Sequence, residues 1–267
     1  MKHLLSYSAR WIEGSRAVVL ETFAMKLCRL VFPALVGLAL LTTSGTTQGQ
    51  TDPEKWLQDA ENAYGSVTNY TAILHKQQLV DGKLLQDDAI FIKFRKPFSL
   101  YMRWLAAPHQ GCELLYVEGW NENRAKVHKG GFWGFVTKNL GPNNPRLMAG
   151  NLRPFTDTGL GFLVQTVAVN VRKASKAGEL RFYERGTETV YGRETQRLEI
   201  ILPKDQAKGY DAYRFITNQD AKSRILIRIQ TYDWNDRLFE NYAYEDLNLE
   251  ARLTDTDFDP ANPDYRF

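Results

Sequence analysis

The chain has 267 residues, 43% of them hydrophobic and 24% charged, a length near the upper limit for one hydrophobic core. Its formal charge of +3 belongs to its beginning: five of the 34 Lys and Arg and two of the 31 Asp and Glu lie before residue 50, which leaves 29 of each. A neutral body excludes the simplest nucleic-acid surface, and one cysteine after residue 49, Cys112, excludes an internal disulfide in that part.

Lys26 and Arg29 precede an apolar run from Leu30 to Leu41, and Thr47 to Gly49 is small and polar. This order predicts a signal peptide over 25–49, cleaved near Gly49, behind an over-extended start at 1–24. The apolar run is shorter than the roughly 20 residues of a spanning helix and contains Pro33, so an uncleaved anchor is the weaker reading. The expected plan is a leader over 1–49, a single folded domain over 50–267, and export to the periplasm or cell envelope.

A helix is predicted near 52–67, with Thr51 or Asp52 as cap, Pro53 in the first turn and Trp56, Ala60, Ala63, Tyr64 and Val67 on one face. Asn69 to Val80 reads as a strand, and Asp81-Gly82 as a hairpin turn. From Ile90 to His128 the pattern is an antiparallel meander. Ile90, Ile92 and Phe94 share one face, and after Pro97 so do Phe98, Leu100, Met102 and Trp104, while Arg95, Tyr101 and Arg103 fall on the other. Cys112 to Val117 is apolar on both faces except at Glu113, which makes Cys112 a small buried hydrophobe. Residues 130–153, rich in Gly, Asn and Pro, read as a long irregular loop. A second helix is predicted near 158–175, capped by Thr156 or Asp157 and packed in the concave side of the sheet through Leu160, Leu163, Val164, Val167 and Val171. Five strands follow between Glu179 and Leu249, the last two joined at Asp233 to Asp236. The fold class is α+β and mainly antiparallel β, a strongly curved sheet or incomplete β-barrel wrapped around about two helices.

The stretches FRKPFSLYMRWLAAPHQG, ELLYVEGWNENRAKVHKGG and the closing RIQTYDWNDRLFENYAYEDLNLEARLTDTDFDPANPDYRF resemble an uncharacterised exported bacterial family, DUF1571. The order of helix, strands, mid-chain helix and strands is similar to the periplasmic lipoprotein carriers of the Lol type, which implies an incomplete barrel over an apolar cavity. Neither resemblance brings catalytic residues.

The residues themselves offer little chemistry. His75, His109 and His128 have no metal-ligand spacing; His128, at a strand end before the irregular loop, is the most interesting of the three. There is no nucleophile motif, and Asp255, Asp257 and Asp259 lack the glycine and glutamate of a calcium loop and read as a solvated acidic turn. No catalytic, cofactor or metal site is expected. The inner aromatic face is either filling or wall. As wall, it makes Phe94, Phe98, Leu100, Met102, Trp104, Tyr116, Leu160, Leu163 and Val167 the residues of a ligand cavity. Arg95 and Arg103 would then stand near its mouth, although alternation places them outside. The expected function is a non-enzymatic binding protein for a lipid, acyl chain or lipoprotein, with transient contact to a membrane surface. The alternative is an envelope module that meets a protein or glycan through Trp120, Trp133 and Trp234.

Overall fold

The computed structural model describes residues 51–85, 88–131 and 136–267, so the predicted leader lies outside the described residues. They belong to one compact unit, Gln48–Phe267. Helix α1 (Pro53–Ser66) starts where Asp52 Oδ1 accepts the Glu54 N–H at 3.0 Å and Pro53 occupies a position with no donor to lose. It buries Trp56, Leu57 and Ala60. A fully buried leucine such as Leu57 contributes about 1.5–3 kcal/mol relative to exposure.

The strands are β1 (Asn69–Val80), β2 (Lys83–Leu84), β3 (Asp88–Arg95), β4 (Ser99–Trp104), β5 (Glu113–Val117), β6 (Ala125–His128) and β7 (Thr137–Leu140) in the first half. The second half holds β8 (Arg181–Val190), β9 (Arg193–Ile201), β10 (Arg214–Asp220), β11 (Leu226–Tyr232) and β12 (Leu238–Asn248). Between the halves lie the single turn α2 (Pro145–Met148) and the long helix α3 (Leu160–Lys176). Together the strands form one curved, antiparallel, 12-stranded sheet in the order β7-β6-β5-β4-β3-β1-β12-β11-β10-β9-β8, with β2 beside β1. The terminal strands β7 and β8 do not pair with each other, so the sheet stays open. Its two meanders join where β1 pairs with β12, with Leu74 opposite Tyr244 and Gln78 opposite Glu240.

Helices α1 and α3 share the inner face, and the main core runs from Trp56 and Leu57 through Ile90, Leu100, Leu163 and Val167 to Phe215 and Ile227. Among the described residues no helix is long and apolar enough to cross a membrane.

Three local expectations need correction. Residues 130–153 are not one irregular loop, because Thr137–Leu140 is a strand on β6 and Pro145–Met148 a helical turn; short polar β7 carries no alternation by which to find it. The cap of α3 is neither Thr156 nor Asp157: Gly159 stands there with φ +106° and no side chain to cap with. Instead the buried hydroxyls of Tyr244 and Tyr70 accept the N–H groups of Gly159 at 3.1 Å and Leu160 at 3.0 Å. The cap is tertiary, supplied by β12 and β1, and a Cβ at Gly159 would come within 2.9 Å of the Tyr70 oxygen. Finally, the tail is docked on protein, as described below.

Candidate binding cavity

The inner face is not filled evenly. Helices α1 and α3 cover most of it, but before β6 and beyond β4 the cover is the crossing chain from α2 to Thr158. Under that crossing lies a cavity of about 380 Å³. Met102 and Trp104 of β4, Leu114 of β5 and Val127 of β6 form an apolar floor, and Leu147 and Phe155 of the crossing face the same space. The floor follows from register: Met102 pairs with Leu114 and Leu114 with Val127, so all three point to one side of the sheet.

One side of the cavity is polar. On β1 the inward residues run Tyr70, Ala72, Leu74 and then Lys76 and Gln78, so a single strand face changes from apolar to polar. Lys76 pairs with Asp88 on one side and Tyr242 on the other, which sets an acid, a base and a phenol in one row across β3, β1 and β12. Lys76 Nζ lies 3.7 Å from Asp88 Oδ2 and donates to Asn151 Oδ1 of the crossing at 2.5 Å. Burial pulls the Lys76 ammonium below its ordinary value, against the charge and hydrogen bond of Asp88.

The next row carries the anchor of the crossing. Glu240, 2% exposed, receives Arg153 Nε at 2.8 Å and a second guanidinium nitrogen at 3.1 Å. Gln78 Nε2 donates to the Tyr242 hydroxyl at 2.5 Å, that hydroxyl donates to Glu240 Oε1 at 3.0 Å, and the Leu152 N–H donates to Gln78 Oε1 at 3.3 Å. Burial works against the Arg153 charge, but the Glu240 carboxylate outweighs it and raises the guanidinium further. Asp157, at the far end of the crossing, is pushed up by burial against the pull of Arg153. These bonds make the crossing a fastened wall.

The nine expected cavity residues divide into three groups. Met102 and Trp104 line the cavity. Phe94 and Phe98 line a second, more open hollow of about 610 Å³ between α1, α3 and the turn after β3, reached also by Phe162, Val164 and the 57% exposed Val169. Leu100, Leu160, Leu163 and Val167 are packed in the core, and Tyr116 is buried there with its ring against Phe98 and Phe155. The inner face is therefore filling beneath the helices and wall beneath the crossing. Lys76, Gln78, Asp88, Arg146, Leu147, Arg153 and Phe155 were missed as cavity residues. Only the polar turn in the β1 alternation, at Lys76 and Gln78, could have been read in advance.

The outer face of β3 to β5 has its own small core, in which Tyr101, Leu115 and Phe258 pack with Phe91, Val117, Leu253, Tyr265 and Phe267. Asp255–Phe258 forms a 3-10 turn; Asp257 bonds Lys93 at 2.8 Å, Asp255 meets Arg95 at 2.8 Å, and Tyr265 stacks on Tyr101 with centroids 4.0 Å apart. The acidic turn is solvated as expected at Asp255 and Asp259, both exposed, and departs from that reading at Asp257, which is half-buried and held by Lys93. Arg95 is removed from the mouth of the cavity too: it lies over Phe258, and Arg103 lies over Phe91, both on the outer face. Cys112 is half-buried and accepts the Gly130 N–H through Sγ at 3.3 Å, so it is not the fully buried hydrophobe expected.

His128 stands opposite Glu113 on the same outer face, 1% exposed, and neither of its ring nitrogens has a hydrogen-bond partner among the described residues. His75 bonds Glu245 at 2.6 Å and stacks on Tyr191, and His109 sits exposed at the cavity lip. Of the tryptophans proposed for a partner, Trp120 is 37% exposed, Trp234 is half-buried and Trp133 lies outside the described residues.

A family model described as a protein of unknown function, DUF1571, matches residues 67–267. Among curated proteins none matches. Solved structures similar to this chain include MucB, at 17% identity and a TM-score of 0.46, over 79% of this chain. The chain spans only 63% of the length of MucB. Mycobacterium tuberculosis lipoprotein LppX is similar at 16% identity and a TM-score of 0.47, over 76% of this chain and 99% of its own. A LolA superfamily protein from Nitrosomonas europaea is similar at 11% identity and a TM-score of 0.33, over 79% of this chain and 98% of its own.

Proposed function

This chain belongs to the DUF1571 family, and from that premise we propose that it is an exported, non-enzymatic binding protein for a lipid, acyl chain or other amphiphile. The observation that carries the reading is the cavity of about 380 Å³ under the crossing, floored by Met102, Trp104, Leu114 and Val127. Sites for small ligands are concave, about 300–1,000 Å³, mostly apolar and fitted with a few polar groups, and this one has that size and make-up. Its polar groups are engaged with one another, Lys76 with Asp88 and Arg153 with Glu240, as structural pairs are. The basic and apolar leader supports export.

The test is native mass spectrometry and lipid extraction of the chain purified from its own envelope, beside Val127→Trp, which puts a large ring into the cavity. A co-purifying amphiphile in the wild type that is lost in Val127→Trp is the expected result. Equal content of bound amphiphile in both, or none in either, would overturn the reading.

A further inference from the structure

The charges around the cavity are not all paired, and the unpaired cation stands at its lip. Three basic residues line it, Lys76, Arg146 and Arg153. Lys76 faces Asp88 and Asn151, and Arg153 is held by both oxygens of Glu240. Among the carboxylates of the lining, Asp88 is matched by Lys76, Glu113 takes the Arg266 N–H at 2.9 Å on the other face of the sheet, and Asp157 lies near Arg153, whose guanidinium Glu240 already holds. Arg146 is left. It is exposed, and its guanidinium makes no ion pair among the described residues. Its backbone is held in place all the same, because Asn144 caps the turn by accepting the Arg146 main-chain N–H at 3.0 Å and the next residue, Leu147, packs against the core. One rim residue is thus an exposed cation on a held backbone, with no ion pair among the described residues, beside an apolar floor and with exposed His109 on the same lining.

We infer that the cavity takes a single-chain amphiphile with an anionic head, its chain laid on Met102, Trp104, Leu114 and Val127 and its carboxylate or phosphate held at the lip by Arg146. This rests on the reading of the cavity as a ligand site. The geometry sets the polarity of entry: the interior polar row is closed on itself and offers no free cation, so the apolar end enters and the anionic head remains outside. A guanidinium suits either head, since its paired N–H donors match two oxygens of a carboxylate or a phosphate.

The experiment titrates the purified chain by calorimetry, below micelle formation, with dodecanoate, dodecyl phosphate, methyl dodecanoate and dodecyltrimethylammonium. The wild type should bind one or both anions roughly threefold to tenfold more tightly than the ester or the cation, as a charge-assisted contact at a half-open lip allows. Arg146→Gln should bring the anions down to the ester and leave the ester unchanged; the two anions tell a carboxylate from a phosphate preference. Equal binding of all four, a preference for the cation, or an anion preference that survives Arg146→Gln would overturn the head-group inference while the cavity reading stands. No binding of any of the four would overturn both.

Discussion

Arg153 grips Glu240 with two nitrogens, at 2.8 and 3.1 Å, and so ties the chain between α2 and α3 to the strand next to β1. The carboxylate is buried and the guanidinium only a quarter exposed, so the pair differs in kind from the surface bridges of Arg172 with Glu54 and Glu61. Arg153→Met leaves Glu240 charged and unpaired, and should cost about 3–5 kcal/mol. Adding Glu240→Met should recover most of it. Urea unfolding of the single and double variants measures both, and a loss well under 1 kcal/mol in the single variant would show that the crossing is held by something else.

The tertiary cap of α3 gives a second prediction. Tyr70→Phe and Tyr244→Phe each delete only a hydroxyl, and each strands one buried backbone donor at the start of the helix. Each should cost about 1–3 kcal/mol, with little change in the volume of the core. The reporter is amide exchange of Gly159 and Leu160, which should quicken in the matching variant and stay slow in the other.

Acid should loosen the tail. Burial raises the Asp257 carboxyl, but the Lys93 ammonium and the Thr254 donors outweigh that and leave it below its ordinary 3.8. A folded value below the unfolded one means that the contribution is complete above 3.8 and is lost as pH falls through the depressed value. Unfolding of wild type and Asp257→Asn measured across that range should differ by a constant amount above about pH 5 and converge in stronger acid. A gap that widens in acid would contradict the sign.

Phe258 fastens the same tail by packing alone. Phe258→Ala should cost about 3–5 kcal/mol, the range for a buried aromatic truncated in a core. Because Phe258 lies on the face of the sheet opposite the cavity, amphiphile affinity per folded molecule should not change. A parallel loss of affinity in calorimetry would mean that the two faces are coupled.

Much of the sheet was legible because alternation in this chain is strong. Asn69–Val80 is a strand at the expected residues, and the faces assigned to Leu100, Met102 and Tyr101 are the faces they occupy. What alternation cannot report is the partner of a face. Tyr101 reads as outward, and it is outward, yet a tail more than 150 residues further on buries it. Likewise Thr156 and Asp157 carry good capping side chains, and nothing local tells that two tyrosines from distant strands do the capping. The candidate site was legible only in its apolar half: Met102 and Trp104 stand in an evident stripe, whereas Arg153 and Arg146 sit in a Gly-, Asn- and Pro-rich segment with no period to assign them an orientation.

The pairing of β1 with β12 has a consequence for the order in which the fold can be completed. The first strand lies between β3, which follows it closely, and β12, which is nearly the last element of the chain. During synthesis the meander from β1 to β7 can form early, but one edge of β1 stays open, and Tyr101 and Leu115 stay wet, until residues 238–267 have emerged. Closure over so long a separation in sequence is intrinsically slow, and an unpaired edge beside uncovered aromatics is the surface on which partly folded chains associate. The last thirty residues therefore act as the clasp of the fold, and the interval before they arrive is when the nascent chain most needs to be kept from its neighbours.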